Sequence, residues 1–113
     1  MKRKTYDCGL EAALDLLNGK WKPLIVRALR GDPKRFGELR RELTGISEKM
    51  LIQNLKELES DSVVRRRDFK EVPPRVEYSL TPFGSTIIPA LAPFCEWGSK
   101  YMNKIKKIKV PGM

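Results

Sequence analysis

Apolar residues recur through the first half of the chain at intervals of three and four, the spacing that lines one face of an α-helix. Leu10, Ala13, Leu14 and Leu17 predict a first helix over residues 9–18. Asn18-Gly19 closes it, because both residues tolerate the left-handed backbone that ends helices. Trp21, Leu24, Ile25, Ala28 and Leu29 form the core stripe of a second helix. Pro23 falls in its first turn, where a missing N–H costs little, and Gly31-Asp32-Pro33 ends it. A short third helix starting near Arg35 carries Phe36, Leu39, Arg40 and Leu43. Thr44-Gly45-Ile46 makes a tight connection in which Ile46 points inward and fixes the turn. The fourth helix has a clean start: Ser47 can cap the free N–H groups of the first turn, and Glu48 sets a carboxylate at the positive end of the dipole. Met50, Leu51, Leu55 and Leu58 give it an apolar stripe; Lys49, Ile52, Gln53 and Lys56 lie on the opposite face. Two helices joined by a short Gly-containing turn, the second with a polar outer face, make a helix-turn-helix pattern.

Beyond Ser60-Asp61-Ser62 the period drops to two. Residues 63–69 and 75–80 read as strands, with Val76, Tyr78 and Leu80 alternating with polar neighbours. Lys70-Glu71-Val72-Pro73-Pro74 is the loop between them, since paired prolines do not fit a central strand. A hairpin after a helix-turn-helix makes a wing. Thr81-Pro82 starts another helix, Thr as N-cap and Pro at the first helical position. Phe83, Ile87, Ile88, Leu91, Phe94, Cys95, Trp97, Tyr101 and Met102 continue it. Pro89 and Pro93 predict a kink there, with helix resuming over residues 94–107. Lys104, Lys106, Lys107 and Lys109 form a basic tail that frays by Pro111-Gly112. The expected fold is mainly α with a small β-hairpin (α+β). It forms one winged helix-turn-helix domain over residues 1–113, with a core over residues 8–81 and a C-terminal helical dimerisation segment over residues 82–107.

The totals sharpen this picture. A net charge of +9 and a pI of about 9.8 favour a polyanionic partner, because lysines and arginines release counterions condensed on phosphates. No run of about 18 apolar residues exists, so no membrane span is expected. Met1-Lys2-Arg3-Lys4-Thr5-Tyr6-Asp7 is basic without an apolar signal core behind it, which predicts a cytoplasmic protein. Cys8 and Cys95 do not make a metal-ligand spacing and should be reduced in that compartment. With no histidine, no phosphate-cradling glycine loop and no paired carboxylates, the chain does not read as an enzyme. Glu38, Glu42, Glu57 and Glu59 read as helix-surface charges. No cofactor or metal ion is implied, and no pattern names a small-molecule effector.

The ordered motifs resemble those of the HxlR-type transcriptional regulators, which are winged helix-turn-helix proteins of bacteria and archaea. The matching pieces are Cys8, Gly19-Lys20-Trp21 with Pro23-Leu24-Ile25, and Arg35-Phe36-Gly37-Glu38-Leu39. They continue with Gly45-Ile46-Ser47-Glu48-Lys49-Met50-Leu51 and Leu55-Lys56-Glu57-Leu58-Glu59. Val72-Pro73-Pro74-Arg75-Val76-Glu77-Tyr78-Ser79-Leu80-Thr81-Pro82 and Gly84 complete the match. Asn18 and Ser62 depart from it, each standing where glycine is common. The resemblance implies a dimeric DNA-binding repressor or activator, its dimer built from the N- and C-terminal helices. In some members of that family a cysteine at the position of Cys8 responds to oxidants or electrophiles.

Candidate sites follow. Ser47, Lys49, Ile52, Gln53 and Lys56 are placed to read base edges of double-stranded DNA; Gln53 suits adenine, Lys49 guanine or phosphate, and Ile52 a thymine methyl. Ser47 has capping as its other reading, and the remaining face a merely solvated one. Arg65 and Arg67 on one strand face, with Lys70 and Arg75, are candidates for backbone contacts from the wing. Lys34, Arg35, Arg40 and Arg41 are candidates beside the third helix. Charged protection of a sheet edge is the other reading of the wing cations. Cys8 is a candidate redox sensor, its thiolate favoured by Lys2, Arg3 and Lys4, or else a structural cysteine packed between subunits. Cys95 reads as core. Leu10, Leu14, Phe94, Trp97 and Tyr101 are candidates for a homodimer interface on a pseudo-palindromic operator, or else for the chain's own core. The alternative to a sequence-specific regulator is a non-specific basic nucleic-acid-binding protein, which would explain the charge but not the order of the elements.

Overall fold

Leu51, Leu55 and Leu58 are buried in one cluster with Ile25, Val26, Ala28, Leu29, Leu39, Leu43, Ile46, Val63 and Val64. The computed structural model describes residues 5–110 and 112. Its helices are α1 (Gly9–Leu16), α2 (Trp21–Ala28), α3 (Phe36–Glu42), α4 (Glu48–Ser60), α5 (Pro82–Ser85), α6 (Ile88–Lys100) and α7 (Met102–Lys109). Strands β1 (Val64–Asp68) and β2 (Val76–Leu80) lie between α4 and α5. Helices α2, α3 and α4 therefore enclose the core, and Val63 and Val64 tie the hairpin to it. Lys2, Arg3, Lys4 and Pro111 lie outside the described residues.

Local chemistry sets each boundary. Glu38 Oε1 accepts from the Arg35 N–H at 2.8 Å at the start of α3. Gly45 takes φ +93°, a region that favours glycine, and lets the chain turn sharply into α4. Ile46 is buried at that turn, as its place in the sequence predicts. Ser47 Oγ then accepts from the Met50 N–H at 3.1 Å, one of the donors a helix start leaves free. Ser62 adopts φ 64°, so the departure from glycine falls where the backbone is left-handed.

The strands pair antiparallel, with Arg65 opposite Ser79, Arg66 opposite Tyr78 and Arg67 opposite Glu77. Arg65 and Arg67 thus share a face, and Arg66 lies on the other with Val64. A link the sequence does not announce pins the wing: Lys34 N donates to Tyr78 O at 2.9 Å and Tyr78 N donates to Lys34 O at 2.8 Å. This bridge fixes the hairpin against the approach to α3.

Two expectations for the C-terminal region are corrected. Pro89 does not kink a helix but sits in the first turn of α6, where its missing N–H has no partner to lose. Pro93 is accommodated inside α6, and the interruption falls at Tyr101 (φ −105°, ψ 16°) between α6 and α7. Neither α1, α6 nor α7 contains a fully buried residue. The Cα radius of gyration is 16.0 Å, against about 13 Å for a compact chain of this length. The excess reflects terminal helices that extend beyond the core.

Candidate nucleic-acid interface

Helix α4 is held by its buried leucines, so its opposite face is fixed by default. Lys49, Ile52, Gln53 and Lys56 are all exposed there and line one open concavity of about 570 Å³ with Glu48 and Glu57. Ser47 is exposed as well, with its hydroxyl engaged in the cap. Met50 is a correction: it is 45% exposed rather than part of the apolar stripe. Asn54 takes the buried position one turn on and donates Nδ2–H to Met50 O at 2.7 Å, which satisfies its polar group inside the packing.

The cations form two groups. Among the described residues, Lys49, Lys56, Arg35, Arg41, Arg65 and Lys70 have no acidic partner. Lys34 instead pairs with Glu42, and Arg40 lies 3.8 Å from Glu48. Arg75 lies 3.5 Å from Glu77 and 3.8 Å from Glu71, and its guanidinium stacks 3.6 Å from the Phe69 ring centroid. The Arg67 guanidinium is 4.2 Å from the same centroid. Arg75 therefore stiffens the wing from within, whereas Arg65 and Lys70 stand free. Lys70 reaches φ 55° at the loop entrance, where its N–H donates to Asp68 Oδ1 at 2.8 Å.

Sequence reasoning missed Lys22. It is 2% exposed, on the inward side of α2, and its Nζ lies 2.7 Å from Glu57 Oε1. Gln53 Nε2 donates to Glu57 Oε2 at 3.0 Å. Glu57 is thus not a plain surface charge. Hydrogen bonds from Lys22 and Gln53, with the Lys22 charge, hold its carboxyl below the ordinary glutamate range. The readable signal was a lysine one turn before the apolar pair Ile25 and Val26 on the same helix.

Cys8 is exposed at the N-cap of α1. Cys95 is a second correction: it is exposed rather than core, because α6 turns that side toward an open apolar groove beside Leu24, Leu91 and Met102. Leu10 (68%), Leu14 (61%), Phe94 (70%) and Trp97 (55%) are exposed, which removes the reading of these residues as intramolecular core. Phe94 and Trp97 stack with centroids 6.4 Å apart, and Trp97 and Tyr101 lie 5.5 Å apart, so the three rings form a continuous apolar stripe. Among the described residues no acidic, cysteine or histidine cluster is arranged to hold a metal ion, and no helix is long and apolar enough to cross a membrane.

This architecture and this sequence have known counterparts. The HxlR-like helix-turn-helix family model matches residues 16–106. The HTH-type transcriptional regulator YkvN of Bacillus subtilis is 44% identical over 101 residues, which are 89% of this chain and 86% of YkvN. The redox regulator HypR in its reduced form matches with a TM-score of 0.82 and 39% identity, covering 88% of this chain and 98% of HypR. The reduced form of the regulator YodB from B. subtilis matches with a TM-score of 0.72 and 33% identity, covering 96% of this chain and all of YodB (100%). The chain belongs to the HxlR-like helix-turn-helix family of transcriptional regulators.

Proposed function

We propose that the chain acts in the cytoplasm as a homodimer that binds a pseudo-palindromic DNA operator and answers to oxidants through Cys8. The observation that carries this reading is the outer face of α4. There Lys49, Ile52, Gln53 and Lys56 stand exposed on a helix whose opposite face is locked into the core. A helix of this kind enters the major groove, and its side chains meet base edges. Arg35, Arg41, Arg65 and Lys70 flank it with unpaired charge for phosphates. Lys34, Arg40 and Arg75 add charge that is partly met within the chain, and Arg67 adds a guanidinium resting on Phe69.

The exposed stripe of Phe94, Trp97 and Tyr101, together with Leu10 and Leu14, supports a second copy as the natural cover for these helices. Two recognition helices then address half-sites about 34 Å apart. The oxidant response rests on the exposure of Cys8, on HypR being a redox regulator, and on YodB, which is also known in a diamide-treated form.

Selection of bound duplexes from random DNA tests this reading, run with a reducing agent and again with diamide. The expected result is one enriched pseudo-palindrome under reduction, with recovery altered by diamide in the native chain and not in Cys8→Ser. Binding without enrichment of any sequence would return the chain to non-specific nucleic-acid binding. A Cys8→Ser chain with the full diamide response would remove the redox role alone.

A further inference from the structure

Lys22 is the only charged residue buried among the described ones. Its side chain, 3% exposed, runs beneath α4 and delivers an ammonium to Glu57 Oε1 at 2.7 Å. The other carboxylate oxygen, Oε2, accepts from Gln53 Nε2 at 3.0 Å. Each oxygen of Glu57 therefore has its own partner, one from beneath the recognition helix and one on its outer face. Burying a lysine is costly, and a well-packed apolar chain of similar volume often serves stability as well or better. A contribution to stability is thus a weak account of Lys22.

We infer that Lys22 and Glu57 are a positioning pair that fixes which hydrogen-bonding pattern Gln53 presents to a base edge. The inference rests on the reading of α4 as the helix that enters the major groove. An ionised carboxylate has acceptors only, so the Gln53 amide must turn its nitrogen, not its oxygen, toward Glu57. One amide hydrogen is used there. The carbonyl oxygen and the second hydrogen remain for the groove, an acceptor beside a donor, which complements N6–H and N7 of adenine. A glutamine without such a partner swaps its two ends by a half-turn about its last bond and shows either pattern. Lys22 keeps Glu57 in place and offsets a negative charge that would otherwise face the DNA backbone.

The variant that tests the pair is Glu57→Gln. The replacement amide has one oxygen, which the buried Lys22 ammonium retains, so the fold keeps its acceptor. Its nitrogen then faces Gln53 donor to donor, and Gln53 has to turn its oxygen inward. Affinity is measured for the duplex selected from random DNA and for its single base-pair variants, with the native chain, Glu57→Gln, Gln53→Ala and the double variant. At the base pair where Gln53→Ala loses preference, Glu57→Gln is expected to reduce preference for the selected base by about tenfold. Preference elsewhere should hold, and Glu57→Gln should have no further effect at that base pair in the Gln53→Ala background. Lys22→Met with Glu57→Gln removes the buried charge together with its partner and frees the new amide to turn its oxygen to Gln53 Nε2. Preference at that position should then be largely regained relative to Glu57→Gln alone; a loss equal to that of Glu57→Gln alone would overturn the part of Lys22 in the pair. Preference unchanged in Glu57→Gln where Gln53→Ala does alter it overturns the positioning pair alone, as does an equal loss at every base pair. Preference unchanged in Gln53→Ala as well overturns base reading by Gln53, and the pair with it.

Discussion

Gly84 sits so close to Val63 that a side-chain carbon at position 84 would lie 2.1 Å from the Val63 carbonyl oxygen. Thr81 sets this contact from both sides: its Oγ1 accepts from Gly84 N at 2.9 Å and donates to Ser62 O at 2.6 Å. The end of β2 is thereby tied to the turn after α4. Because the clash is with backbone, Gly84→Ala has to shift a strand or a helix. Its expected cost is about 2–3 kcal/mol, in the upper range for overpacking, read by urea unfolding at fixed protein concentration. An unchanged midpoint would mean that the contact yields freely.

Glu57 gives stability a pH dependence of known sign. Its carboxyl is held below the ordinary 4.5 by hydrogen bonds from Lys22 and Gln53 and by the Lys22 charge. The charged form is the one favoured by folding. Its contribution is complete above the unfolded-state value and fades as pH falls through the folded one. The stability difference between the native chain and Glu57→Gln should therefore be constant above about pH 6 and shrink as acid titrates this carboxyl. A difference that grew on acidification would contradict the assignment. Half of the Glu57 side chain faces solvent or nearly so, at 44%, so the effect is modest.

Lys70 stands in the wing loop just beyond β1 without an acidic partner among the described residues, whereas Arg75 is held by Glu71, Glu77 and Phe69. Lys70→Ala should weaken binding to every duplex alike. It should also lower the slope of log affinity against log salt by about 0.9, the loss of one phosphate contact. Arg75→Ala should instead loosen the hairpin, which thermal unfolding would register. An unaltered salt slope in Lys70→Ala would remove the wing from the interface.

Trp97 lies between Phe94 and Tyr101 in the exposed ring stripe. Central aromatics of an interface commonly lose about 2 kcal/mol or more on truncation. Trp97→Ala should therefore raise the dimer dissociation constant by roughly thirtyfold, as measured by sedimentation. A native chain that sediments as a 13.0 kDa species at micromolar concentration would contradict the dimer itself.

Much of the scaffold is written in short-range chemistry. Gly45, Ile46 and Ser47 announce the turn and the cap, and Thr81-Pro82 announces the next start, because each needs only its neighbours. The outer face of α4 was equally legible once Leu51, Leu55 and Leu58 were assigned inward. What escaped depends on contacts between distant segments. The hydrogen bonds between Lys34 and Tyr78 join residues that no periodicity connects. In the Lys22–Glu57 pair, Glu57 reads as a surface charge and Lys22 carries no short-range signal of its distant partner. Cys95 was misread because an apolar helix face looks the same in sequence whether it meets the core or an open groove. Pro89 was misread because a proline marks a kink only if the helix has already begun.

The claim on which the account turns is that Gln53 meets a base edge from the exposed face of α4. Affinities of native and Gln53→Ala chains for the selected operator and its single base-pair variants test it most directly. A loss of about 1–3 kcal/mol, with preference relaxed at one or two base pairs and kept at the others, is the predicted result. Equal loss across every sequence, or none at all, would contradict it.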